Sequence, residues 1–315
     1  MKEMRLLSAA DVARLLPMQY AIDVMAGAFD AISRNQGQYP QRIHLSLGYG
    51  DALVMPGYDG LSYLGTKVVV VDRSTRGTPG TRACYLLVRT PEAEPVLLCD
   101  GTALTALRTG AASGLATRRL ARPAATTLAL FGVGRQAAEQ LAGAFAVRPI
   151  RDVRVVNRDS ARAESFMLAM RSRFASATFQ RRDARSAVEG ADIIIAATNS
   201  ATPLFNGQWV EPGTHVNAIG SYRPDMRELD LELSRRGRYV VDQRAAALAE
   251  AGELIEAISE GIVSPDEISE LGEIGENARR TPDEITIFKT VGHAALDLFA
   301  ASALLRGLAE DAPMR

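Results

Sequence analysis

The chain has 315 residues, room for one large domain or two ordinary ones, and its 47% hydrophobic and 23% charged residues are the balance of a globular protein. A net charge of −1 gives no electrostatic reason to expect nucleic acid or an anionic membrane as a partner. No apolar run approaches the ~20 residues that a membrane span needs, and the opening MKEMRLLSAADVARLL carries acids but no long apolar core, so no secretory signal is read there. Cys84 and Cys99 lie in apolar, strand-like runs and are expected to be buried free thiols, not a disulfide framework. A cytoplasmic protein is expected.

Ser8 to Leu16 opens with S-x-x-D, a capping pair that predicts a short helix. Apolar residues at Ile22, Met25, Ala26 and Phe29 predict a second helix over about 19–34. The texture then changes. Ile43, Leu45 and Leu47 alternate with polar residues, the mark of a half-buried strand. Residues 52–55 predict another strand, stopped by Pro56-Gly57. The long apolar run 63–72 reads as a central strand, and 83–89 with 96–99 as a hairpin. A helix rich in small residues follows from about 103 to 121. The first section is therefore read as a mostly antiparallel sheet with two helices before it.

From Thr126 the pattern alternates between strand and helix. Strands are predicted at 127–131, 153–157, 177–180, 191–197, 214–219, 238–241 and 285–289, with helices between them and a last helix over 292–307. This alternation predicts an α/β fold, a doubly wound parallel sheet of Rossmann type, beside a smaller α+β domain.

The stretch TTLALFGVGRQA, from Thr126 to Ala137, organises the chain. It reads strand, then G-x-G-x-x-A, then a helix expected from Arg135. Gly132 permits a tight turn and Gly134 lets backbone approach a pyrophosphate. The small third position lets the helix pack on the strand. The exposed N–H groups at the helix start favour an anion, so a dinucleotide site is read at Gly132, Gly134, Arg135 and Gln136. A glycine-rich turn in some other α/β protein is the alternative.

The second strand of that half ends at Asn157, followed by Arg158, with Arg162 one turn further. An NAD enzyme usually places an acid there for the ribose hydroxyls. Asn and Arg instead suit a 2′-phosphate, which favours NADP(H), with NAD(H) the alternative if Arg158 only stacks on adenine.

Of 36 basic residues only Lys2, Lys67 and Lys289 are lysines; the other 33 are arginines. Lys2 is terminal and is set aside. Lys67 and Lys289 lie inside apolar strand runs. There a lysine can lower its pKa and exchange a proton, which arginine cannot, or it can snorkel from a strand end. Arg42, Lys67 and Arg108 together suit a carboxylate substrate. Singly, both arginines also fit as surface or capping charges. His44, His215 and His293 have no metal-ligand spacing, so no metal is expected, and no G-x-S-x-G motif points to nucleophilic catalysis.

The segments MPGY (from Met55), YLGTKVV (from Tyr63), LRTGAASGLATRRLA (from Leu107), FGVGRQA (from Phe131) and VNAIGSYRPDMREL (from Val216) together resemble the ornithine cyclodeaminase/mu-crystallin family over nearly the whole chain. The resemblance implies a substrate-binding and dimerisation domain of 1–120 plus 292–315, a Rossmann domain of 121–291, and a homodimer formed through the substrate domains. It implies that Arg42, Lys67 and Arg108 hold the substrate carboxylate beside Met55, with Lys67 near the reacting nitrogen. It also implies that Thr109 and Thr198 line the cofactor, and that Lys289 to Gly292, including Val291, touch the nicotinamide and face the cleft.

One departure matters. Cyclodeaminases carry an aspartate two residues after the glycine of the N-A-I-G loop. Here that position is Tyr222, with Asp225 further on. The text is closer to ketimine reductases, which reduce pyrroline-2-carboxylate or piperideine-2-carboxylate to proline or pipecolate. Lys67 and, after it, Asp225 are the candidate catalytic residues. The alternatives are ornithine cyclodeaminase, an alanine-type amino-acid dehydrogenase, and a protein that binds NADPH and a small ligand without turnover.

Overall fold

The computed structural model describes residues 4–73 and 80–310; Lys2 lies outside them. The chain divides into two compact units, Met1–Ala111 with His293–Arg315, and Ala112–Gly292. The division falls inside one long helix, ahead of the boundary expected after residue 120.

The first unit begins with strand Arg5–Leu7 (β1) and helices Ala9–Leu15 (α1) and Met18–Ser33 (α2). At the start of α1 the Ser8 hydroxyl accepts from the Asp11 N–H at 3.3 Å, and the Asp11 carboxylate accepts from the Ser8 N–H at 3.0 Å. This reciprocal pair satisfies two of the amides that a helix start leaves without partners. The strands Ile43–Leu47 (β2), Gly50–Tyr58 (β3), Tyr63–Asp72 (β4), Gly80–Arg89 (β5) and Glu94–Asp100 (β6) follow. The sheet order is β1-β6-β5-β4-β3-β2. Every neighbouring pair is antiparallel except β1 on β6.

Pro56 does not end β3 as expected; the strand runs through it. β2 pairs with β3 only as far as Ile43↔Val54. Tyr58 exchanges backbone bonds with Gln38 on that same side, so by the two-residue period Pro56 also faces it. Its missing N–H therefore falls where no ladder bond is needed.

Helix Gly101–Leu120 (α3) leaves β6. Helix Ala294–Glu310 (α10), at the end of the described residues, packs on α2 and on β3, β4 and β5. The inner face of the sheet thus carries Leu53, Met55, Val69, Tyr85, Leu87 and Leu97, all buried. Some apolar side chains of the described residues lie exposed on the outer face. Leu6, Ile43, Leu45 and Leu64 are 69%, 52%, 50% and 44% exposed there. Cys84, expected to be buried, is exposed on that face, while Cys99 points inward and is buried.

The second unit follows the βα alternation: Thr127–Phe131 (β7), Ala137–Val147 (α4), Asp152–Val156 (β8), Ser160–Arg173 (α5), Thr178–Arg181 (β9), Ala184–Val188 (α6), Ile193–Ala196 (β10) and His215–Ala218 (β11). Then come Leu231–Arg236 (α7), Gly237–Val241 (β12), Arg244–Glu250 (α8), Gly252–Ser259 (α9), Ser269–Glu270 (β13) and Ile285–Lys289 (β14). Asp159, Asp183 and Asp230 cap α5, α6 and α7 through their side chains.

All strands of this sheet are parallel, in the order β13-β12-β14-β11-β10-β7-β8-β9. Read from β9, the first six places follow the doubly wound order, with β14 in sixth place. Alternate residues of β7 and β10 feed two cores. Ala129, Phe131 and Ile194 lie on one side; Leu128, Leu130, Ile193 and Ile195 lie on the other. With helices on both faces, β10 is buried throughout, and truncating one of its isoleucines to alanine would cost about 2–5 kcal/mol.

Candidate functional site

In the second unit the glycine turn closes β7. Gly132 has φ +91°, and a Cβ there would lie 2.7 Å from the Ala197 carbonyl oxygen, so only glycine fits. A Cβ on Gly134 would meet nothing within 4 Å. That is open space beside backbone N–H groups, the room a pyrophosphate needs. The buried Gln136 Oε1 has no hydrogen-bond partner among the described residues, and Ala137 is fully buried against the sheet. The helix starts at Ala137 and not at Arg135, because Gly134, Arg135 and Gln136 form the turn that closes through Ala137 N–H to Gly134 O at 3.1 Å. These residues fit a dinucleotide phosphate at the start of α4.

Beyond β8, the Asn157 amide donates to the Asp159 carbonyl at 2.8 Å. The Asp159 carboxylate is turned into the α5 cap, accepting from the Arg162 N–H at 3.0 Å. The nearest acid is thereby engaged, while Arg158 and Arg162 are exposed. Thr198, after β10, donates through its N–H and hydroxyl to Glu228 Oε1 at 2.7 and 2.8 Å. Glu228 Oε2 accepts from the Gly220 N–H at 2.7 Å, so one buried carboxylate ties the loops after β10 and β11. Burial pushes that carboxyl up from its ordinary value against the pull of Lys289. Val291 and Gly292 leave the end of β14.

In the first unit Lys67 sits on β4 with Met55 directly opposite on β3 and Tyr85 opposite on β5. Its Nζ donates to Asp297 Oδ2 at 2.6 Å, and Arg108 Nε donates to Asp297 Oδ1 at 2.9 Å. Lys67, Arg108 and Asp297 are 2%, 4% and 1% exposed, so one carboxylate from α10 holds two cations out of water. Burial pushes the Lys67 ammonium down to about 8. Asp297 opposes the shift; Arg108 and Arg42 add to it. Burial would raise the Asp297 carboxyl, but Arg108 and Lys67 more than offset it and hold the group below its ordinary value. The Nη groups of Arg108 make no hydrogen bond among the described residues. They leave a planar fork suited to a second carboxylate.

Aromatic groups close the cluster. Tyr85 is buried at 1% exposure, and its phenol is pushed well above its usual range by burial. Gly65 makes room for it: a Cβ there would collide with the Tyr85 hydroxyl. The buried Tyr39 hydroxyl has no hydrogen-bond partner among the described residues, and its ring meets His293 edge-on at 5.2 Å between centroids. Thr109, next to Arg108, is buried, with its hydroxyl given to the Thr105 carbonyl at 2.6 Å.

Two expected members stand elsewhere. Lys289, expected to face the cleft, is instead fully buried in the second unit. It is paired with Glu253 at 3.0 Å and donates to the Ser221 carbonyl at 2.6 Å and hydroxyl at 2.7 Å. Its amine is consumed in holding the loop after β11. Asp225 has a side chain 69% exposed and paired with Arg223 at 2.8 Å, a solvated setting unlike that of a held proton donor. Among the described residues no group of three His, Cys, Asp or Glu side chains is arranged to hold a metal ion. No helix among them is long and apolar enough to cross a membrane.

The model of the ornithine cyclodeaminase/mu-crystallin family matches residues 2–310. The chain belongs to that family. Within it, the chain is 37% identical over 311 residues to a Delta(1)-pyrroline-2-carboxylate reductase of Bacillus cereus, covering 96% of this chain and 95% of that one. The structure of Thermococcus litoralis Delta(1)-pyrroline-2-carboxylate reductase in complex with NADH and L-proline superimposes with a TM-score of 0.91 at 34% identity, covering 98% of both chains. An archaeal alanine dehydrogenase dimer with bound NAD superimposes with a TM-score of 0.89 at 29% identity, covering 98% of this chain and 97% of that one.

The members of the Lys67 cluster that the sequence alone did not single out are Asp297, Tyr85 and Tyr39. The one signal for Asp297 was an acid in an otherwise apolar helix, AALDLFAASALL.

Proposed function

We propose that the protein reduces a cyclic ketimine carboxylate, pyrroline-2-carboxylate or its six-membered homologue, to the cyclic amino acid, with NADPH preferred over NADH. It is an NAD(P)-dependent oxidoreductase of the class acting on C=N bonds. The observation that carries the substrate class is the pairing of Lys67 and Arg108 on Asp297. Two cations and one carboxylate leave excess positive charge in a dry wall, which a substrate carboxylate balances.

In this reading the Arg108 fork, with Arg42, receives the carboxylate. Lys67, with a pKa of about 8, is charged at neutral pH and close enough to solution pH to give a proton to the imine nitrogen. Asp297 stays ionised and fixes both cations. Protonation leaves an iminium, whose adjacent carbon accepts two electrons and a hydrogen as hydride. The nicotinamide, when bound, supplies that hydride. Asn157, Arg158 and Arg162 support NADPH by offering donors and positive charge where an acid would repel a 2′-phosphate.

Ornithine cyclodeamination is disfavoured by Tyr222 standing where the cyclodeaminases carry aspartate and by the solvated, paired state of Asp225. We infer further that two copies pair through the outer face of the β1–β6 sheet, where Leu6, Ile43, Leu45 and Leu64 are exposed. A face of that kind marks an interaction surface.

The test is a panel of pyrroline-2-carboxylate, piperideine-2-carboxylate, pyruvate with ammonia, and ornithine, each with both cofactors. Oxidation of NADPH with the two cyclic imines is expected. Turnover only with pyruvate and ammonia would favour an alanine-type dehydrogenase, and ammonia release from ornithine would favour the cyclodeaminase. No turnover with any of the four would favour a binding protein.

A further inference from the structure

Asp242, at the end of β12, is fully buried. Its Oδ2 accepts three bonds from one turn: from the Thr290 hydroxyl at 2.6 Å, the Val291 N–H at 2.9 Å and the Gly292 N–H at 2.8 Å. Its Oδ1 accepts from the Gln243 N–H at 2.9 Å. The Thr290 hydroxyl also accepts from the Gly292 N–H at 3.2 Å. Among the described residues Asp242 has no ion-pair partner, so its charge is met by neutral donors alone. Burying a carboxylate is costly unless such bonds compensate. What the bonds secure is the shape of 290–292, including Gly292 at φ +86°, a conformation for which glycine is suited.

That turn leaves the carboxyl end of β14, which holds the sixth place in the doubly wound order. In such sheets ligands bind beyond the carboxyl ends of the strands. The dinucleotide phosphates are assigned to the turn after β7, and the strands from β10 to β14 lie on the other side of the reversal in strand order. The geometry points to Asp242 as a positioning residue that holds the Val291–Gly292 backbone against the nicotinamide ring. This rests on the function proposed above. Asp242 acts through the turn and touches neither substrate nor cofactor.

Asp242→Asn keeps the shape but removes the charge and turns an NH2 group toward a donor. Thr290→Val removes one hydroxyl and is the milder change. Affinities for the reduced dinucleotide and for ADP-ribose, or its 2′-phosphate, are compared in wild type and both variants, together with kcat. The expected result for Asp242→Asn is ADP-ribose affinity as in wild type, about tenfold weaker dinucleotide binding, and kcat lower by about 10–100-fold, the scale of a misplaced reacting group. Thr290→Val should move the same quantities less. Hydride transferred from cofactor stereospecifically deuterated at C4 should show partial loss of facial selectivity in Asp242→Asn. Unchanged dinucleotide affinity and kcat in both variants, or equal weakening of dinucleotide and ADP-ribose, overturns this inference alone. A wild type that binds neither dinucleotide overturns the proposed function, and this inference with it.

Discussion

Lys67 and Asp297 stand 230 positions apart in the chain, yet Nζ and Oδ2 lie 2.6 Å apart. The carboxylate paired with the amine comes from α10, and it holds Arg108 with its other oxygen.

The first expectation concerns the amine itself. Lys67→Met should lower kcat/KM for a cyclic ketimine by about a hundredfold or more, the range for a lost proton donor. Binding of the nucleotide, followed by fluorescence titration, should be unaffected. Unchanged turnover would remove Lys67 from the chemistry.

The pH profile carries a second expectation. Lys67 titrates at about 8, and its charged form is the one that binds a carboxylate and gives a proton. The kcat/KM of the free enzyme should therefore fall above about pH 8. Asp297 is the group that raises the amine's affinity for its proton, so Asp297→Asn should move that alkaline limb to lower pH. A limb that stays in place would separate the two residues functionally.

Asp297 also shows why part of the site escaped sequence reading. Gly132 and Gly134 were legible because a tight turn and a close approach are local demands written in adjacent residues. Lys67 stood out because lysine is rare in this chain. Asp297 and Tyr85 are defined by partners on other elements, and no local pattern announces those. β1 was missed for the same reason, since three residues form a strand there only because β6 lies beside them. Lys289 misled because a lysine in an apolar strand looks alike whether its amine meets a ligand or an internal Glu253.

Cofactor choice is tested at the end of β8. The wild type should use NADPH better than NADH, measured as kcat/KM. Asn157→Asp places a carboxylate beside the expected 2′-phosphate and should lower the NADPH value by about 10–100-fold, with NADH little affected. A wild-type preference for NADH would reject the assignment.

His215 links pH to stability. Its Nδ1 is 2.9 Å from the Thr286 hydroxyl and its Nε2 3.3 Å from Asn217 Oδ1, and Asn217 in turn donates to the Thr117 hydroxyl at 3.0 Å. Burial lowers its pKa from 6.5 to about 3. The unfolded chain therefore binds a proton in this window that the folded chain refuses, and stability falls as pH drops from 6.5 toward 3. The slope from this one group is at most about 1.4 kcal/mol per pH unit. His215→Gln, which cannot titrate, should flatten the dependence of Tm on pH between about pH 7 and 4. An equally steep dependence in the variant would place the acid sensitivity elsewhere.

Pairing of two copies is tested at the outer sheet face. Leu45 is 50% exposed, so Leu45→Lys should leave the fold of a single copy intact. Light scattering should show the wild type as a dimer and a variant carrying Leu45→Lys and Ile43→Glu as a monomer. A wild type that is monomeric at high concentration would reject the pairing.

The preference for arginine over lysine has a practical consequence. With three lysines in the whole chain, growth on isotope-labelled lysine gives an NMR spectrum with only three side-chain amines. Lys289 is sealed inside at 0% exposure, so a titrating resonance that responds to substrate singles out Lys67. The protein thus carries its own spectroscopic reporter, with no foreign probe needed.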